Sequence, residues 1–166
     1  MRSRPVTWLS TLSMVMTIVL ASTQATGADL EAARLTATMA AKSPTWRTDE
    51  LDLISKAEDF HVAPYRDNHV TLGAPTKIWS VAVDGDLYVR ASNGTRTSWY
   101  ISAVRERAGQ ISAAGMKKLV AFEPVQGAIN EKIDAAYRAK YGAGKYLDSM
   151  LSARASAATV RIRPAE

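Results

Sequence analysis

The chain has no cysteine in its 166 residues. That excludes a disulfide scaffold, a thiolate zinc site, an iron–sulfur cluster, a thiol nucleophile and a lipoprotein anchor. Histidine is almost as scarce, and His61 and His69 alone cannot furnish an all-histidine metal site, so no metal site is expected. Nine glycines and six prolines are too few for a collagen-like or low-complexity chain. A content of 47% hydrophobic and 22% charged residues belongs to a folding chain, not a disordered one. No catalytic signature stands out, and the catalytic residues are unknown at this level.

What is present begins with an address. Arg2 and Arg4 precede a mostly apolar run over residues 6–20, and the small residues Ala21, Ser22, Thr23, Ala25, Gly27 and Ala28 surround its end. This order is that of a secretory signal peptide, with cleavage after Ala25 or Ala28. The run has 15 residues and is interrupted by Thr7, Ser10, Thr11, Ser13 and Thr17, whereas a spanning helix needs roughly 17–25 apolar residues. Residues 1–28 are therefore expected to be a signal peptide, giving an exported protein (periplasmic or secreted) with no stable membrane insertion after cleavage. Arg2-Ser3-Arg4 is not a twin-arginine pair, so the expected route is general secretion of an unfolded chain.

The chain carries 21 Lys and Arg against 16 Asp and Glu, a net charge of +5, and removal of residues 1–28 takes two arginines and no acid, leaving +3. Without a basic face such a chain is a poor nucleic-acid binder, which needs several phosphate contacts together. The charge is uneven, however. Residues 90–118 hold Arg90, Arg96, Arg105, Arg107, Lys117 and Lys118 against Glu106 alone.

Residues 29–45 read as an alanine-rich helical extension or linker, with Leu30, Ala33, Ala37 and Ala40 on one stripe. The domain spans residues 46–166. Its first helix is expected to be capped by Thr48, with Asp49 and Glu50 at the positive end and Leu51, Ile54 and Ala57 inward. Period two then takes over at residues 60–65, 70–72, 76–83 and 86–92. Asp84-Gly85 is a two-residue hairpin signal that sets Val83 opposite Asp86, Val81 opposite Tyr88 and Trp79 opposite Arg90. One hairpin face collects Ile78, Ser80, Ala82, Leu87, Val89 and Ala91, suited to the interior of a narrow barrel. The other carries Trp79, Val81 and Tyr88 and demands a cover. A helix from Thr97 or Ser98 to Arg107 is expected to end at Gly109. Strands at 110–113 and 117–122 flank Gly115, a helix covers 129–141, a short helical stretch lies near 147–152, and a last strand covers 159–163. The fold class is α+β, with about six or seven mostly antiparallel strands and two or three inserted helices.

Several motifs match one bacterial family. His61-Val62-Ala63-Pro64, Ile78-Trp79, the run over 83–90, Asn93-Gly94, Trp99-Tyr100, Ala139-Lys140-Tyr141 and Ala157-Ala158-Thr159-Val160 together resemble the "domain of unknown function 2255" family over about residues 47–164. That family has no established activity. More distantly, Asp84-Gly85-Asp86, Ala91-Ser92-Asn93-Gly94 and Trp99-Tyr100 are similar to the central stretch of deazaflavin-dependent nitroreductases, of the flavin-binding split-barrel group. That likeness implies a split β-barrel, and a flavin mononucleotide (FMN) or deazaflavin held at the hairpin and the following helix start. The upstream loop departs from that group's basic, glycine-containing cluster and offers Arg66, Lys77 and His69 instead.

The candidate cofactor-binding residues are Arg66, Lys77, Trp79, Arg90, Ser92, Asn93, Gly94, Arg96, Ser98 and Trp99. Between residues 93 and 98, helix-end amides, three hydroxyls and one guanidinium converge, which suits a phosphate or carboxylate; the plainer alternative is a capped connection with a solvated Arg96. Arg90 stacked on Trp79 would form a platform for a flat ring, or merely a covered outer face. His61 and His69 are acid–base candidates without a partner indicated by spacing. Two functions follow. One is a flavin- or deazaflavin-dependent oxidoreductase, in which the cofactor does the hydride chemistry. The other is a non-enzymatic module binding a small anionic ligand or a protein partner. A homodimer is allowed by either.

Overall fold

The computed structural model describes residues 44–142 and 144–165, so the expected signal peptide and residues 29–43 of the extension lie outside the described residues. The strands are β1 (His61–Pro64), β2 (Thr76–Lys77), β3 (Ser80–Val83), β4 (Asp86–Arg90), β5 (Ala108–Ala113), β6 (Met116–Pro124) and β7 (Thr159–Pro164). The helices are α1 (Thr48–Lys56), α2 (Ser98–Glu106), α3 (Ile129–Tyr141), α4 (Leu147–Leu151) and α5 (Ala153–Ser156). All seven strands form one antiparallel sheet in the order β2-β1-β5-β6-β7-β4-β3, curled into a half-barrel. The fold is the expected α+β split barrel.

Two tight turns fix its registers. Asp84 and Gly85 have φ of 52° and 84°, the pair of positive values that a type I′ turn requires, and Val83 faces Asp86 and Val81 faces Tyr88 as the hairpin signal demands. Ala114 and Gly115 (φ 49° and 74°) make the second such turn, between β5 and β6. Ala114 accepts a left-handed conformation unfavourable to a Cβ, and its N–H donates to Asp59 Oδ1 at 3.1 Å.

The outermost strands β2 and β3 are consecutive in the chain, joined only by Ile78 and Trp79. Two residues bridge no more than a few ångströms each, so the sheet edges must come together at this link. The two edges of the curled sheet are joined by the chain at this seam and not by a ladder. Ser80, where β3 begins, finds partners on a helix: its N–H donates to the Tyr141 hydroxyl at 3.1 Å, and its carbonyl accepts from Lys140 Nζ at 2.9 Å. Such bonds satisfy an edge that would otherwise invite another strand.

Alternation along the strands divides the apolar residues into two cores. Val62, Leu87, Val89, Ile111, Val120, Phe122, Val160 and Ile162 fill the barrel interior, joined by Ile78 and Ala82. Each such side chain is worth about 1.5–3 kcal/mol when buried. On the other face of the hairpin, α3 and α4 supply the cover that Trp79, Val81 and Tyr88 demand, with Ile133, Tyr137 and Met150 fully inside. Trp46 Nε1 donates to the Ile162 carbonyl at 2.8 Å, and Lys118 pairs with Glu50 at 2.5 Å, fastening the start of the domain to β7 and β6.

Four expectations about local structure are corrected. Residues 70–72 are not a strand: the Asn68 side-chain oxygen Oδ1 accepts from the N–H groups of Val70 and Thr71, which bends the chain into a side-chain-closed turn and leaves only an isolated bridge at Leu72. Residues 76–83 are not one strand, because the seam splits them between opposite edges of the sheet. Thr48 is not the cap of α1; Arg47 holds that position, its guanidinium on Asp49. The left-handed Arg107, not Gly109, ends α2. Gly109 lies inside β5, where a Cβ would come within 2.6 Å of the Ala63 carbonyl oxygen.

Candidate functional site

The seam opens into a cleft of about 220 Å³ lined by Lys77, Ile78, Trp79, Arg90, Ser92, Thr97, Trp99, Tyr146, Ser149 and Met150. The chain reaches it from four places: the β2–β3 link, the end of β4, the start of α2, and α4 with the residue before it. Five of the ten expected residues meet here, namely Lys77, Trp79, Arg90, Ser92 and Trp99. A second cleft, of about 170 Å³, holds Arg66 and Ser98 with Tyr65, Thr76 and Ser102, and Trp99 lines both. Asn93, Gly94 and Arg96 line neither. Gly94 is there for packing: its φ is +80°, and a Cβ would lie 2.6 Å from Arg154 Cγ. Arg96 is exposed. The corner between residues 93 and 98 is thus a connection, in which the Thr97 hydroxyl turns back onto the Gly94 carbonyl at 2.8 Å and does not cap α2.

Arg90 requires the largest correction. It does not stack on Trp79. Its side chain is fully buried and spans from β4 to α3, α4 and β7. Nε donates to Thr159 Oγ1 (3.0 Å), Nη1 to Asp134 Oδ1 (2.5 Å) and the Met150 carbonyl (3.0 Å), and Nη2 to Asn130 Oδ1 (2.7 Å) and the Asn130 carbonyl (3.3 Å). A guanidinium has five N–H donors, and these five contacts engage all of them. The ring beneath Arg90 is Tyr137, 5.5 Å from Cζ to centroid. Arg90 therefore forms the floor of the cleft with no donor to spare and its charge matched by Asp134.

Trp79 stacks instead on Tyr141, with centroids 4.0 Å apart and planes 4° from parallel, and Tyr141 in turn lies 5.9 Å from Tyr137. Burial pushes the phenols of Tyr137 and Tyr141 above the usual tyrosine range. These rings brace one wall of the cleft, and Trp99 forms another. Tyr146 stands at the mouth, 59% exposed, with Lys145 Nζ over its ring at 4.8 Å. Lys77 is exposed and makes no ion pair among the described residues. The lining contains no carboxylate.

Neither histidine reaches the cleft. His61 Nδ1 lies 2.7 Å from the Asp59 carbonyl oxygen, and His69 packs against Glu106, whose buried carboxylate also accepts from Arg105 Nε at 2.5 Å. Among the described residues no group of three or more His, Asp or Glu is arranged to hold a metal, and no helix is long and apolar enough to cross a membrane. Of the other five lining residues, the sequence places Ile78 in the barrel interior and Thr97 in the corner over residues 93–98, and it gives no sign of Tyr146, Ser149 and Met150. Their segment read as a short helix, and nothing in its composition signals a cleft wall.

Residues 50–162 match the family described as "Uncharacterized protein conserved in bacteria (DUF2255)", well over half of the chain, and the chain belongs to that family. Among solved structures it is similar to a conserved hypothetical protein from Mycobacterium tuberculosis, with 11% identity and a TM-score of 0.48 over 75% of this chain and 83% of that one. No curated protein matches it.

Proposed function

We propose that this DUF2255 chain binds a small, flat, anionic ligand in the seam cleft, and that it does so as a binding module without catalytic groups of its own. One observation carries the reading. Arg90 is closed off by its own partners, so an aromatic cleft with serine and threonine hydroxyls is left with Lys77 as its exposed cation and with no acid to oppose it. Ring faces of Trp79, Trp99 and Tyr146 suit a planar ligand, and one ammonium suits one carboxylate or phosphate. At about 220 Å³ the cleft lies below the roughly 300–1,000 Å³ of typical ligand sites, which favours a single ring system.

A second reading, an oxidoreductase using FMN or deazaflavin, draws on Trp99. Because Trp99 lines both clefts, a longer ligand would place its ring system beside Lys77 and Trp79 and its phosphate beside Arg66 and Ser98. The bound cofactor would supply the hydride chemistry; Lys77 and Arg66 would hold its charge, and the tryptophans would orient its ring and exclude water. We propose in either case that residues 1–28 direct export.

The experiment is a tryptophan-fluorescence titration at low salt with 2-naphthoate, FMN and a deazaflavin, on the wild type and on Lys77→Glu. Saturable quenching by naphthoate, weakened about tenfold or more in Lys77→Glu, is expected, since a charge-assisted hydrogen bond is worth roughly 1.5–3 kcal/mol. Flavin or deazaflavin retained through gel filtration, with its visible or near-ultraviolet absorption, would turn the assignment to the second reading. No saturable quenching by any of the three, or equal affinity in the variant, would overturn both.

A further inference from the structure

A third cleft, of about 330 Å³, lies between α1, β3 and α3 and is lined by Ser55, Val81, Ala82, Ala136, Ala139 and Lys140. It shares no residue with the seam cleft. Its walls are small and almost wholly apolar, and Lys140 is the one charged residue among them. The lysine is half-buried. Its Nζ donates to the carbonyls of Ser80 (2.9 Å) and Ala57 (3.3 Å) and lies 5.0 Å from the centroid of the Tyr141 ring. Among the described residues no carboxylate stands within ion-pair distance of it.

Two carbonyls take two of the Lys140 N–H groups, and the third position on the nitrogen, a proton in the ammonium and a lone pair in the neutral amine, has no acceptor among the described residues. Burial lowers the pKa of Lys140 from the ordinary lysine range, while the charge of Glu58, just past α1, acts in the opposite direction. Lysines desolvated in this way serve as amine nucleophiles toward carbonyl compounds.

We propose that Lys140 is a reactive amine that condenses with short aliphatic aldehydes entering this cleft. The lone pair attacks the carbonyl carbon and a C–N bond forms. The carbonyl oxygen gains two protons, both originally on the amine nitrogen or exchanged with solvent, and departs as water, leaving a C=N bond. An uncharged aldehyde is the class that fits, because walls of Val81, Ala82, Ala136 and Ala139 offer no partner to a second charge.

The first arm of the test uses the unaltered protein. Full-length protein is exposed to propanal at neutral pH with cyanoborohydride, which reduces the imine to a stable propyl amine, and each lysine is followed in a time course by peptide mass spectrometry. The chain's other lysines, Lys77, Lys117, Lys132 and Lys145 among them, are comparators in the same tube. Lys140 is expected to react at least about fivefold faster than these, as a desolvated amine should. That advantage should shrink as the pH is raised and the exposed amines also lose their protons. Reaction of Lys140 at the rate of the exposed lysines, or more slowly, would overturn the proposal. In Lys140→Arg, loss of the fast-labelled peptide with the other rates unchanged supports it, and a fast-labelled site that persists elsewhere refutes it.

Discussion

Replacing Arg90 by methionine should unfold this domain more readily than any change at the mouth of the cleft. The substitution keeps an unbranched stem but removes five hydrogen bonds and the counter-charge of Asp134. Breaking a buried ion pair from one side costs about 3–5 kcal/mol, because the remaining charge stays buried without a partner. Asp134 retains 24% side-chain exposure, so water reaches it and the lower end, about 3 kcal/mol, is expected. The contact with the Tyr137 ring adds about 0.5–1 kcal/mol more. For a domain of this size that corresponds to a fall in Tm of roughly 10–15 °C, readable by circular dichroism and by urea denaturation. Arg90→Met with Asp134→Leu should recover much of the loss, since exchange of a whole buried pair for apolar side chains is often nearly neutral. Suppose instead that Arg90→Met melted within about 0.5 kcal/mol of the wild type, the range of ordinary surface changes. The guanidinium would then not be locked in its network, and the view of Arg90 as a floor without free donors would fail.

Arg96→Glu, by contrast, should leave both Tm and naphthoate affinity unchanged, because Arg96 is exposed and lines neither cleft; calorimetry on the variant checks this, and a loss of affinity would return residues 93–98 to the site. Gly94→Ala should be more damaging than Gly85→Ala in the same melting assay: both have positive φ, but a Cβ meets Arg154 at residue 94 and open space at residue 85. Stability should decline as pH rises past the ordinary tyrosine value of about 10. The phenols of Tyr88, Tyr100, Tyr137 and Tyr141 are held above it by burial, so the folded state binds protons that the unfolded chain has released; urea midpoints across the alkaline range would show it. If the leader is removed as expected, the intact mass of the exported protein should place its N-terminus near Thr26 or Asp29, and a full-length chain in the membrane fraction would contradict that.

The legible parts of the fold were those written in short-range pattern. Asp84-Gly85 declared a turn type, the turn type set the register, and alternation sorted Leu87 and Val89 from Tyr88 and Val81 onto the two faces that the structure shows. The need for a cover over Trp79 and Val81 was visible for the same reason, and so was the helix over 129–141, although nothing short-range joined one to the other. The seam was hidden because residues 76–83 carry one uninterrupted strand-like pattern while their partners lie on opposite edges of the sheet. Arg90 was misread for a related reason. Its hairpin position placed it opposite Trp79, but Asn130, Asp134, Met150 and Thr159, which hold it, come 40 to 69 residues later. Half of the cleft was legible because Trp79, Arg90, Ser92 and Trp99 belong to the hairpin and to the helix start that follows it, which lie close in the chain. The wall made by Tyr146 and Met150 depends on how α4 docks, which no local rule states.

The place of β7 has a consequence for how this protein is made. Residues 159–164 lie inside the sheet, between β6 and β4, and the facing edges of these two neighbours are paired only once they arrive. A ribosome that has delivered the first six strands, short of Thr159, has delivered two ribbons, β2-β1-β5-β6 and β4-β3, each with an open edge where β7 will lie. The partners of β7 in β4 were synthesised some 70 residues earlier, and closing so long a loop is slow. The nascent domain therefore stays unsealed, and open to chaperones, until residues 159–164 emerge.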